Sequence, residues 1–474
     1  MLKKNFIYSF GYQIISLGFP LIVSPYISRT VGADGIGLYA FYYSTAYYFV
    51  MFIMLGLSNY GNRSIAMNRD KSKNEFSRVF CEIYTMQFVC GVIVSALYII
   101  YVIVLCEDKK MGLIFGLYVF SAVIDISWFF FGIEEFKLIV TRNLFVKIAT
   151  MVFIFVLVKD TSDYYLYSLI MVLGMLVSQI YLWKYIFKYV DLKVVSISIA
   201  LKKRFYENFV LFIPVFAVSL YKIMDKIMLG NMCLIAELGY YENVEKITNV
   251  PVAFVTALGT VMLPRVTNMV SKGDVKLVNR YFENSLYFAL CVSSAMCFGI
   301  IAVSKEFVVL FWGENFTACI QLIYIMLPTT VFLGVSNVIR TQYLIPQSKD
   351  SIYIKSVCLG AFINLLINIV LIPSLGSTGA AIGTFFAELS VLLYQCIRVN
   401  KGLKLGRIIL KGSGFLVLGL LMLLVLTNMK LFASNLIISL LIKVIVGGII
   451  YAVGAIVYIV KVLRCPLFLR CKKI

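Results

Sequence analysis

Histidine is absent from all 474 residues of the chain. Its absence removes the commonest metal ligand and the side chain most used to move protons near neutral pH. Acidic residues are scarce: 23 Asp and Glu stand against 43 Lys and Arg, for a formal net charge of +20. Tryptophan is limited to Trp128, Trp183 and Trp312, so aromatic anchoring falls mainly to tyrosine. There is no GxxxxGK[ST] loop, which excludes a built-in ATPase engine, and no HExxH, GxSxG or metal-ligand spacing. The eleven cysteines form no CxxC pair and lie mostly within apolar runs, where a thiol packs as a small hydrophobe. No catalytic residue, metal site or bound cofactor is expected.

What the chain has in abundance is apolar length. Hydrophobic residues make up 61% and charged residues only 14%, incompatible with a soluble globule of this size. The apolar residues gather into about fourteen blocks, from 5–28 to 435–460, most reaching the ~20 residues a spanning helix needs. Of the 43 Lys and Arg, 33 crowd into alternate gaps, among them 61–80, 134–147, 184–205 and 398–411. By the positive-inside rule those gaps and both termini face the cytoplasm. The expected class is an all-α integral membrane protein of about 14 transmembrane helices in the bacterial cytoplasmic (inner) membrane. The excess positive charge meets lipid headgroups in short loops and does not indicate nucleic acid. Lys3 and Lys4 precede an apolar run too long for a signal-peptide core, which reads as a retained first helix.

A weak repeat recurs at an offset of 202 residues: Gly37 and Tyr39 fall on Gly239 and Tyr241, Arg63 on Arg265, and Arg78 and Phe80 on Arg280 and Phe282. Six spans separate the copies, so both have the same orientation, and two lobes flanking a central cavity are expected. The corresponding division is 1–190 for a first six-helix lobe, 191–400 for a second, and 401–474 for an added helix pair and tail. Pro20 and Pro25 in the first span and Pro214 in the seventh are expected to interrupt matching helices of the two lobes.

Charges within spans cost roughly 2.5–3.5 kcal/mol each on insertion scales, so they are candidate functional groups. Lys222, Asp225 and Lys226 stand at i, i+3, i+4 on the seventh span, and Glu242, Glu245 and Lys246 repeat the spacing on the eighth. Two readings stay open for these triplets: a neutralising ion-pair network of three cations and three carboxylates, or cavity-facing contacts. For Lys222, and for Arg29 at the outer end of the first span, an anion contact is favoured. Asp125 in the fourth span and Glu388 in the twelfth could carry a coupling proton, since burial disfavours the charged form of a carboxyl; a structural hydrogen-bonded acid is the equal alternative. Asn364 and Asn368 share one face of the eleventh span and suit interhelical hydrogen bonding. Tyr39, Tyr42, Tyr43, Tyr47 and Tyr48 cluster in the outer half of the second span, suited to the interface or to a cavity wall.

Four ordered blocks carry a resemblance: PLIVSPYISRTVGADGIGLYAF (20–41) with GLSNYGNRSIAMNRD (56–70), IDISWFFFGIEEFKLIVTRN (124–143), MDKIMLGNMCLIAELGYYENVEKI (224–247) with VMLPR (261–265), and LIPQSKDSIYIKSVCLGAFINLLINIVLIPSLGSTGAAIGTFFAE (344–388). The second includes Trp128, Phe129, Gly132, Glu134, Phe136, Lys137, Arg142 and Asn143. The chain resembles the bacterial polysaccharide (O-antigen and capsule type) flippases of the multidrug/oligosaccharidyl-lipid/polysaccharide exporter superfamily. That resemblance implies a V-shaped bundle turning a polyprenyl-pyrophosphate-linked oligosaccharide across the membrane by alternating access, for surface polysaccharide biosynthesis. It implies a glycan polymerase and other pathway membrane proteins as partners. Arg29, Lys222, Lys226 and Lys246 become candidate pyrophosphate partners and Tyr39 a glycan-facing aromatic; Asp125, Asp225, Glu245 and Glu388 become candidate coupling groups for a proton or sodium ion. A cation-coupled multidrug extruder and a peptidoglycan-precursor flippase are rivals of the same fold. A membrane glycan polymerase is the rival of a different class, disfavoured because no external loop is large enough for a catalytic domain.

Overall fold

The computed structural model describes residues 18–191, 200–403, 405–429 and 435–463, and these are helical throughout, joined by turns and short connections. Residues 5–17 of the first apolar block, Lys3 and Lys4, and the basic tail from Arg464 lie outside the described residues. The chain divides into two units, Met1–Gly230 and Asn231–Ile474. The first holds α1 (18–30), α2 (Gly32–Met54), α3 (Leu57–Met67), α4 (Lys73–Val104), α5 (Lys109–Val123), α6 (Ser127–Gly132), α7 (Phe136–Leu157), α8 (Tyr164–Ile186) and most of α9 (Ala200–Met232). The second holds α10 (Ile235–Ser271), α11 (Val275–Phe311), α12 (Ala318–Met326), α13 (Thr329–Ile339), α14 (Asp350–Leu375), α15 (Ser377–Leu403), α16 (Leu405–Gly412), α17 (Gly414–Asn428) and α18 (Leu436–Tyr458).

Twelve helical stretches among the described residues are long and apolar enough to cross a membrane. They include neither the block at 5–28 nor α9, so the expected fourteen is approximate. Their outward faces are apolar: on α4 alone Val92, Ile93, Leu97, Ile100, Ile103 and Val104 are all more than half exposed. A soluble monomer does not leave so broad an apolar surface in water; hydrocarbon is the solvent that covers it.

Helix starts follow local chemistry. Ser72 accepts a hydrogen bond from Glu75 N at 3.4 Å to cap α4, and Asp274 accepts from Leu277 N at 3.1 Å to cap α11. These two caps are 202 residues apart, the offset of the sequence repeat. The stretch α2–α3, 32–67, likewise maps onto the single helix α10, 235–271. The prolines do not break helices where expected. The helical assignment continues through Pro20, Pro25 and Pro214, and the interruptions fall instead at Val31, at Leu55–Gly56 and at 124–126. A proline removes its own N–H from the ladder and crowds the carbonyl four residues back, but the observed breaks sit where Gly32 (φ 77°) and Leu55 (φ 48°) turn the backbone, or where side chains take over backbone partners.

The interior of the first unit is aromatic. Phe80, Trp128, Phe129 and Phe130 are buried together, with Phe80 and Trp128 stacked at 5.6 Å. Helices α3 and α6 touch because Gly61 lies against the Trp128 ring and Gly132 against Ile65; a Cβ on Gly61 would come within 2.7 Å of Trp128, and one on Gly132 within 2.7 Å of Ile65. Two of the blocks that carry the sequence resemblance, 56–70 and 124–143, therefore pack on one another.

Candidate functional site

In the fourth span the helix opens between α5 and α6, and the opening exposes backbone carbonyls that a membrane interior cannot solvate. Side chains from neighbouring helices take them up. Gln87 Nε2 on α4 donates to Ala122 O and to Asp125 O, both at 2.8 Å, and Trp183 Nε1 on α8 donates to Ile124 O at 2.8 Å. Gln87 Oε1 in turn accepts from Trp128 Nε1 at 3.0 Å. Asp125 closes the gap from within: its Oδ1 accepts from Ser127 N at 2.8 Å. The acid singled out in the sequence thus sits at a helix break, half-buried.

A polar chain leads from that break to Arg142. Ser127 Oγ donates to Gln179 Oε1 at 3.3 Å, and Arg142 Nη1 donates to the same oxygen at 3.3 Å. Arg142 is 6% exposed and also donates to Ser178 O at 3.2 Å and to Asn143 Oδ1 through Nε and Nη2, at 3.0 and 2.8 Å. The resemblance marked Arg142 and Asn143; their junction with Asp125 is visible only in the fold.

Tyr39 on α2 lies in an aromatic cluster of the same unit, 5.9 Å from Tyr43, 5.0 Å from Tyr167 and 5.6 Å from Phe115. Arg29, near the end of α1, is exposed. On α9, Lys222 is exposed and Lys226 half-buried, whereas Asp225, between them in sequence, is only 2% exposed. The shared spacing therefore does not give the three charges one environment.

The second triplet belongs to the second unit. Lys246 Nζ lies 4.0 Å from Glu242 Oε1 and donates to Asn243 Oδ1 at 3.2 Å; Glu245 is half-buried. Asn368 Nδ2 donates to Asn364 Oδ1 at 3.2 Å, a bond within α14, where bonding between helices was expected of this pair. Tyr241 and Thr384 share a hydrogen bond of 2.9 Å between α10 and α15. Four residues further along α15, Glu388 is 5% exposed, and among the described residues its carboxyl has no hydrogen-bond or ion-pair partner. Burying a carboxylate alone is costly unless a proton or a cation accompanies it.

The fold brings forward a buried acid that the sequence pattern does not single out. Glu82 on α4 accepts from Arg78 Nε at 3.0 Å and from Arg204 Nε and Nη2 at 3.3 and 3.1 Å. Arg204 Nη1 also reaches Tyr60 OH at 3.2 Å, and Tyr60 OH donates to Glu207 Oε2 at 2.8 Å. This network ties the start of α9 to α3 and α4. The i, i+4 pair Arg78–Glu82 is legible in the sequence; Arg204, 122 residues from Glu82, lies in a basic gap and reads there as a loop cation. A further pair, Lys443 with Glu306, joins α18 to α11 inside the second unit.

Comparison with known proteins adds the lineage. A family model described as "Polysaccharide biosynthesis protein" matches residues 2–270. A Shigella dysenteriae protein named "Putative O-antigen transporter" is 22% identical over 402 residues, covering 83% of this chain and 99% of that protein. Its namesake from Escherichia coli (strain K12) is 23% identical over 406 residues, covering 84% and 97%. The fold is similar to that of a solved structure titled "Lipid II flippase MurJ, inward closed conformation", with a TM-score of 0.78, 14% identity, and coverage of 97% of this chain and 99% of that one. With more than half its length matched by one family model, this multi-span membrane chain belongs to the polysaccharide biosynthesis protein family.

Proposed function

We propose that the chain is a flippase that turns a polyprenyl-pyrophosphate-linked oligosaccharide across the bacterial cytoplasmic membrane by alternating access, with both termini in the cytoplasm. The observation that carries this reading is the family match, extended by relatives named as O-antigen transporters that align over nearly their whole length. The pyrophosphate needs cationic partners. Exposed Arg29 and Lys222 supply them in this reading, with Lys226 and Lys246 as secondary contacts and Tyr39 as an aromatic face for sugar rings. Energy coupling, by proton or sodium ion, is assigned to the intramembrane acids Asp125, Asp225, Glu245 and Glu388. Glu388 ranks first because it is buried with no hydrogen-bond or ion-pair partner among the described residues.

The test is surface glycan display in a bacterial host whose own polysaccharide flippase is deleted and whose lipid-linked glycan matches the chain's native one. The wild-type chain should restore surface glycan and clear the lipid-linked intermediate from the inner leaflet. Arg29→Ala with Lys222→Ala, and separately Glu388→Gln, should leave the intermediate accumulating at normal protein abundance. Full restoration by both variants would remove these residues from the site. A wild-type chain that never clears the intermediate would remove the function.

A further inference from the structure

Three of the basic gaps converge on one pocket of the first unit. Arg69 and Lys71 come from the turn after α3, Lys73 opens α4, and Lys188 and Tyr189 follow α8; with Phe76, Ile133 and Glu135 they line a cavity of about 350 Å³. Its floor is apolar: Phe76 and Ile133 are 8% and 6% exposed and belong to the buried aromatic core. Its rim is cationic, and Lys71, Lys73 and Lys188 are exposed.

The acid that lines the pocket, Glu135, and its neighbour Glu134 are both engaged. Glu134 pairs with Arg69 at 3.6 Å, and Glu135 Oε1 accepts from Tyr189 OH at 3.1 Å. The turn carrying them is held in an unusual backbone: Glu134 has φ 64°, and the amide of Glu135 returns to Phe130 O at 3.0 Å. A non-glycine residue in the left-handed region is costly and persists where the surroundings impose it. Here the strained turn brings Glu135 beneath the Tyr189 hydroxyl, leaving the lysines as the surplus charge.

We propose that this pocket seats the phosphodiester headgroup of an anionic phospholipid from the leaflet on the side of the basic gaps. The chemistry matches on both counts. Lysines at a membrane boundary attract anionic headgroups and hold them as point charges, and the Phe76–Ile133 floor receives the glycerol and first methylenes that a free phosphate lacks. The volume suits one headgroup and not a glycan. Because α3, α4, α6 and α8 all meet there, an occupied pocket braces the base of the first unit. The proposal depends on the chain spanning a bilayer, and it stands whether or not the transported substrate is a glycan lipid.

The test uses the purified full-length chain and native mass spectrometry, with phosphatidylglycerol and phosphatidylcholine added in equal amounts. Wild type should retain phosphatidylglycerol preferentially. Lys71→Ser/Lys73→Ser/Lys188→Ser should weaken that retention by about tenfold. Lys272→Ser/Lys276→Ser/Arg280→Ser, which removes three exposed cations at the start of α11 and the turn before it, should not. Lys188→Glu, a single change at an exposed side chain, should lower retention without touching the core. Equal losses in the two triple variants would overturn the proposal in favour of diffuse charge attraction. An unchanged Lys188→Glu would overturn it as well. Competition by millimolar inorganic pyrophosphate as strong as that by phosphatidylglycerol vesicles would reassign the pocket to a soluble anion and overturn the lipid as its occupant.

Discussion

The repeat offset of 202 places the break at 124–126 opposite the break at Leu327–Pro328, and the two are built differently. In the second unit the chain barely departs from a helix: Leu327 and Pro328 keep helical dihedrals, at φ −60°, ψ −39° and φ −58°, ψ −25°. Thr329 and Thr330 return their hydroxyls to Met326 O and Leu327 O within the same turn. In the first unit Ile124 and Ile126 leave the helical region, at φ −99°, ψ 6° and φ −110°, ψ 21°, and the freed carbonyls are met by Gln87 and Trp183 from other helices. Positions 202 residues apart are thus self-sufficient in one unit and dependent on neighbouring helices in the other. Only the dependent break carries an acid, Asp125, and a link to a buried arginine.

The contrast is broken most forcefully at Gln87. Replacing this fully buried side chain by leucine leaves Asp125 O and Trp128 Nε1 without partners, each costing ~1–3 kcal/mol. Gln87→Leu should therefore destabilise the protein by about 3 kcal/mol, read as a lower melting temperature in detergent; a melting curve matching wild type would show that the break does not need α4. Next in size is Trp183→Phe, which keeps an aromatic ring, though a smaller one, and strips Ile124 O of its donor. A loss of about 1–2 kcal/mol is expected, and thermal unfolding that shifts by less than Thr330→Val would reverse the ordering.

Asp125→Asn should cost under about 1 kcal/mol, because an amide oxygen still accepts from Ser127 N. Transport should nevertheless fall, since asparagine neither carries a charge nor releases a proton. Normal glycan display with this variant would leave Asp125 as a cap alone. Thr330→Val should be the mildest, within about 0.5 kcal/mol, because Leu327 O keeps its backbone donor, Thr330 N, at 3.0 Å. A drop as large as that of Gln87→Leu would end the claim that the second break sustains itself.

Two buried glutamates extend the lesson to charge. Glu82 is clasped by Arg78 and Arg204, whereas Glu388 is buried with no hydrogen-bond or ion-pair partner among the described residues. Position along the chain marks Glu388 as a candidate, deep within an apolar block. It gives no such mark to Glu82, which lies near the start of an apolar block beside a basic gap. Glu82→Ala takes the shared acceptor from Arg78 and Arg204 and so reports on folding, while the variants of Glu388 report on transport.

Composition and order alone determined that this chain crosses a membrane many times and that its cations gather in alternate gaps. Those properties depend on the solvent each residue meets and on spacing along one helix, both of which are local. The partners of Asp125, the clasp on Glu82 and the convergence of three basic gaps on one pocket join residues tens to more than a hundred positions apart. Such meetings were decided by the tertiary structure, because inside a bilayer every freed carbonyl and every buried charge must find its partner through helix packing.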